Sequence, residues 1–83
     1  MNVKEWLQEW FEKNTDVSKE KIEKSGGENY LLGGWIDSFK FITLISEIEE
    51  KYGIRFSNDE FQDRSFGTID GMSKAIQKKV DEK

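Results

Sequence analysis

The chain has 83 residues, 13 of them basic and 17 acidic, a net charge of -4, and neither histidine nor cysteine. So short a chain makes one small domain with a single modest core, and without thiols or imidazoles it can hold neither a disulfide nor a zinc ion bound by them. The acidic balance disfavours nucleic acid, whose phosphates require basic residues, and no apolar run approaches the ~18 to 20 residues of a membrane span.

The N-terminus is amphipathic and mixed in charge, unlike the basic-then-apolar order of a secretory signal, so a cytoplasmic chain without membrane insertion is expected. Val3, Trp6, Leu7, Trp10 and Phe11 recur at helical spacing behind Asn2, a capping residue, which predicts a first helix over 3–14. Its aromatic stripe reads as core, its lysines and glutamates as a solvated face.

Periodicity lapses from Asn14 to Trp35, where Ser25, Gly26, Gly27, Gly33 and Gly34 interrupt the chain. A loop this long must be pinned by its own side chains, and Val17, Ile22, Tyr30, Leu31 and Leu32 are the candidates. A short helical turn over 18–24 fits within it. The glycine pairs match no phosphate-cradling pattern.

Asp37 and Ser38 are both capping residues, and a helix over 38–52 follows them. At 100° per residue Phe41, Leu44, Ile45, Ile48 and Tyr52 share one arc and are predicted core. Phe39, Thr43, Ser46 and Glu50 face outward, and Phe39 with Ile42 forms an apolar patch beside the Ser38 hydroxyl. Gly53 stands where a left-handed residue would end the helix, with Ile54 folding back onto its last turn.

Ser57 or Asn58 can cap a short third helix over 58–63, and Thr68 a fourth over 68–80 whose apolar positions are Ile69, Met72, Ala75, Ile76 and Val80. Gly71 weakens that last helix by up to ~1 kcal/mol relative to alanine. The pattern predicts an all-α four-helix bundle with a long first loop and a short third helix, in one domain.

Chemistry is scarce. The Ser-His and Cys-His nucleophile pairs are impossible, so no enzyme is expected. Glu47, Glu49 and Glu50, like Asp59, Glu60 and Asp63, lie on exposed helical faces with no EF-hand spacing, which suits a partner-facing acidic surface better than a metal site. By itself Asp-Ser before an amphipathic helix is an ordinary cap; its surroundings are more informative.

Two glycines and the apolar pair Trp35 and Ile36 precede Asp37 and Ser38, Phe39 follows, and the acidic helix ends in E-E-K-Y-G-I. This combination resembles the acyl carrier protein family, in which an Asp-Ser-Leu motif opens the second of four helices. The resemblance runs from about Asn2 to Val80 and is strongest over D-S-F-K-F-I-T-L-I-S-E-I-E-E-K-Y-G-I-R-F. The later F-G-T-I-D-G-M-S-K-A-I is similar to the start of the family's fourth helix.

The resemblance implies that Ser38 carries a covalent 4'-phosphopantetheine with Asp37 as its acidic neighbour. It implies that Phe39, Lys40, Ile42, Thr43, Ser46, Glu47 and Glu50 form the partner-recognition face. The partners would be a phosphopantetheinyl transferase, an acyl- or aminoacyl-loading ligase, and a downstream acyltransferase or synthase, each meeting a monomeric carrier.

The chain also departs from the family pattern. G-W-I-D-S-F, with two apolar residues between Gly34 and Asp37, looks more like discrete specialised carriers such as D-alanyl carrier proteins than like fatty-acid synthesis carriers. Lys40 stands where those tend to have an acid, Thr43 and Ser46 make the outward face less acidic, and Ser57 replaces a frequent proline. A dedicated lipid, polysaccharide-modifying or secondary-metabolite pathway is therefore expected ahead of housekeeping fatty-acid synthesis. An unmodified helical interaction module, binding through Trp35, Phe39 and Ile42, is the alternative from another class. Phe41, Trp35 and Phe66 are bulky enough to fill the interior beside the second helix, which implies a small or polar cargo, or one held outside.

Overall fold

The structure, a computed structural model, describes residues 2–82. Helix α1, Val3–Asn14, starts where the Asn2 carboxamide oxygen accepts the Glu5 N–H at 2.8 Å. Helix α2, Lys19–Lys24, capped by Ser18, lies where a short helical turn is expected within the long loop. Helix α3, Ser38–Tyr52, is capped by Asp37, whose carboxylate accepts the Lys40 N–H at 2.8 Å. It ends at Gly53, whose left-handed backbone (φ 65°) lets the Gly53 and Ile54 N–H groups close on the Glu49 carbonyl.

Helix α4, Asn58–Gln62, is a single short turn begun by Ser57, whose backbone N–H and hydroxyl both donate to the Glu60 carboxylate. Burial pushes the Glu60 carboxyl up, yet Lys79 and the two Ser57 donors outweigh it and hold the group below its usual range. A 3-10 turn, Arg64–Gly67, leads into α5, Ile69–Asp81, where the Thr68 hydroxyl accepts the Gly71 N–H at 2.9 Å. The fold is thus the expected helical bundle, with the short α2 in the first crossover.

Leu7 and Phe11 of α1, Ile22 of α2, Leu44 and Ile48 of α3, and Ile69, Met72 and Ile76 of α5 are fully buried and meet in one core. Side-chain contacts set α3 antiparallel to α1. The Lys40 ammonium donates to the Asn14 carbonyl, the Trp10 indole N–H to the Glu47 carboxylate, and the Trp6 and Tyr52 rings meet edge-on at 6.1 Å. On the predicted core arc Leu44, Ile45 and Ile48 are buried, while Phe41 and Tyr52 are partly so.

Candidate functional site at the start of α3

What positions the start of α3 is a loop anchored by two adjacent residues. The Asn29 side-chain oxygen accepts the Leu31 and Leu32 N–H groups, both at 2.9 Å, and its backbone bridges to Thr68. Tyr30, fully buried, donates its N–H to the Gly67 carbonyl at 2.9 Å and its hydroxyl to the Phe66 carbonyl at 2.8 Å. Burial pushes its phenol well above the usual tyrosine range, so the hydroxyl stays a donor. The Tyr30 carbonyl then accepts the Trp35 N–H, and Gly34 (φ 76°) makes the reversal between them. Ile22 and Tyr30 are pins as expected, but Leu32 is not: it is 89% exposed, because its N–H is held by Asn29 with the side chain turned outward.

The reversal delivers Ser38 to the first position of α3, exposed. Asp37 is occupied as the cap, so no carboxylate or other base holds the Ser38 hydroxyl among the described residues. The N–H groups of Ser38 and Phe39 likewise have no acceptor among the described residues, and they open toward solvent at the positive end of the helix dipole. On the same helix Phe39 and Ile42 are 79% and 64% exposed, and Leu32 in the preceding loop is 89% exposed. The arrangement is an uncovered hydroxyl at an anion-favouring helix start, followed along the helix by the exposed apolar side chains of Phe39 and Ile42.

The family model described as phosphopantetheine attachment site matches residues 5–76. The chain belongs to this carrier family. No curated protein and no solved structure gives a match. Family members hold 4'-phosphopantetheine covalently on a serine and are carriers, not enzymes. They work with a phosphopantetheinyl transferase and with acyl-processing enzymes. Once attached, the group supplies a thiol on which acyl units travel as thioesters.

The helix start of this carrier fits such a group: a phosphate on Ser38 would lie beside the two free N–H groups, and the hydroxyl has open access. No helix among the described residues is long and apolar enough to cross a membrane.

The outward face of α3 is less uniform than the sequence implies. Phe39, Ile42, Thr43, Ser46 and Glu50 are exposed and turned to solvent as expected. Lys40 and Glu47 are exposed too, but each is tied to α1, Lys40 at the Asn14 carbonyl that ends α1 and Glu47 at Trp10, a buried ring. Glu47 is therefore part of the structure whatever partner it meets. Glu47→Ala is expected to cost about 1 to 2 kcal/mol in chemical denaturation by leaving the Trp10 N–H without its acceptor, and Glu47→Gln, which keeps an acceptor oxygen, much less. Of the other carboxylates, Glu49 accepts the Phe56 N–H, Glu60 pairs with Lys79 at 2.7 Å, and Asp63 holds the Ser65 N–H and hydroxyl.

Proposed function

We propose that Ser38 is the attachment serine and that the chain carries an acyl or aminoacyl group for a dedicated pathway in the cytoplasm. The observation that carries the assignment is the contrast between Ser38 and the other hydroxyls. Ser57, Ser65 and Ser73 donate to neighbouring oxygens, and Ser18 is spent as a cap. Ser46 sits in mid-helix near Glu49 and Glu50, far from any free N–H group and poorly suited to a phosphate. The Ser25 hydroxyl makes no bond but stands at the end of α2, so among the described residues Ser38 alone combines an uncommitted hydroxyl with a helix start.

Because no base among the described residues holds that hydroxyl, the base that takes its proton belongs to the transferase. Asp37 fixes the helix start, while Phe39 and Ile42 offer the transferase and later partners apolar contact beside the reacting oxygen. A dedicated pathway is favoured over housekeeping fatty-acid synthesis by the G-W-I-D-S-F segment, by a lysine at position 40, and by the hydroxyls of Thr43 and Ser46 where a more acidic face would be expected. A loading ligase and a downstream acyltransferase or synthase complete the partner set, met by a monomer.

Intact mass tests the carrier reading. After incubation with coenzyme A and a broadly accepting phosphopantetheinyl transferase, the chain should gain one phosphopantetheine. A chain left wholly unmodified would favour the helical interaction module instead.

A further inference from the structure

A tethered acyl chain of more than a few carbons either finds apolar space inside its own carrier or stays in water. The space beside α3, one turn in from Ser38, is already filled. Phe41 of α3 meets Phe66 of the 3-10 turn at 6.2 Å and Phe61 of α4 at 6.2 Å, both edge-on. Phe61 and Phe66 meet at 5.3 Å, and Phe56 closes the set at 5.0 Å from Phe66 and 6.3 Å from Phe61. Behind Phe41 stands the buried Tyr30 ring at 6.1 Å.

Trp35 takes no part in this cluster, contrary to the sequence expectation; its ring packs edge-on against Phe11 at 5.9 Å. Phe56 and Phe61 supply the bulk instead. The sizeable grooves are lined mostly by polar side chains. One of about 570 Å³ runs between α1 and α2 and is lined largely by charged residues, among them Glu5, Glu9, Glu12 and Lys19. Another, of about 420 Å³, runs along α5 among Glu60, Lys74, Lys78 and Lys79, and of the cluster it touches Phe66 alone, at its edge. Neither reaches Phe41 or Ser38.

Resting on the carrier reading above, we infer that the Phe41–Phe56–Phe61–Phe66 cluster closes the bundle to its cargo, so that the group carried is short or polar and stays outside. A long chain would have to displace interlocked rings and replace every contact they lose. Phe61, 43% exposed on a helix with no buried residue of its own, is the most exposed of the four, with Phe41 and Phe56 partly buried and Phe66 buried.

The test loads the whole chain directly from acyl-coenzyme A donors, acetyl to dodecanoyl, with one acyl-phosphopantetheine per chain confirmed by mass before melting. The melting midpoint of the natural sequence should vary by less than about 2 °C across the series, since no additional apolar surface is buried. Phe61→Ala and Phe41→Ala open space and should each make the midpoint climb with chain length; should Phe41→Ala not fold, the variant Phe61→Ala carries the test. Two results would overturn the inference. One is a steady climb with length in the natural sequence, with the Phe41 and Phe66 ring resonances shifting. The other is length indifference in the folded variants, which would mean that the cluster is not what closes the interior. Failure to load at all would appear in the mass and would sink the carrier reading itself.

Discussion

Gly71→Ala should destabilise the protein by about 3 kcal/mol or more, lowering the melting midpoint by more than about 10 °C. Helix propensity alone points the other way, since alanine is favoured over glycine in a helix by up to ~1 kcal/mol. The reversal comes from the preceding turn. A Cβ on residue 71 would lie 1.8 Å from the Ser65 carbonyl oxygen and 2.5 Å from its carbon, and backbone cannot swing aside as a flexible side chain would.

Nor can the turn retreat freely. The Ser65 carbonyl accepts both the Thr68 N–H at 3.1 Å and the Thr68 hydroxyl at 2.8 Å, while Thr68 caps α5 through Gly71 itself. Any shift of the turn would also carry Phe66 and Gly67 away from Tyr30, and with them the loop that places Ser38. An unchanged or raised midpoint in Gly71→Ala would show that the turn stands off from α5.

The two sides of α3 should separate stability from recognition. Leu44 and Ile48 are fully buried, so Leu44→Ala and Ile48→Ala should each cost about 2 to 5 kcal/mol, through lost burial and the cavity left behind. Phe39, at 79% exposure, should cost no more than about 0.5 kcal/mol when replaced by alanine, yet slow modification by the transferase. Denaturation curves and initial modification rates on the same variants make the comparison. Equal destabilisation by both sets would mean that α3 is rotated about its axis.

What was legible in the sequence is what local chemistry decides. Asn2, Asp37 and Thr68 cap helices because each side-chain oxygen reaches an N–H three residues on, and Gly53 ends α3 because its φ is positive. The amphipathic arc of α3 placed Leu44, Ile45 and Ile48 inside and left Ser38 at the exposed helix start. Interactions between residues far apart in the chain were not legible. The Tyr30 hydroxyl finds the Phe66 carbonyl 36 residues away, and Trp10 finds Glu47 at a separation of 37, so neither the loop anchor nor the structural share of Glu47 leaves a periodic trace. The same limit hid the partners of Phe41: composition offered Trp35, but only the packing of the 3-10 turn and α4 selects Phe56 and Phe61. Gly71 read as a weak spot in a helix because its close neighbour, the Ser65 carbonyl, belongs to a turn that sequence alone did not place.

Ser38 is the centre of the account, and site-resolved mass spectrometry tests it most directly. The natural chain and Ser38→Ala are treated with transferase and coenzyme A, and the modified product is fragmented. Since Asp37, not Ser38, makes the capping bond, the variant should keep its helical signal and melting midpoint. The account predicts one phosphopantetheine, localised to Ser38, and no added mass on the folded variant; the same mass gain on Ser38→Ala would contradict it.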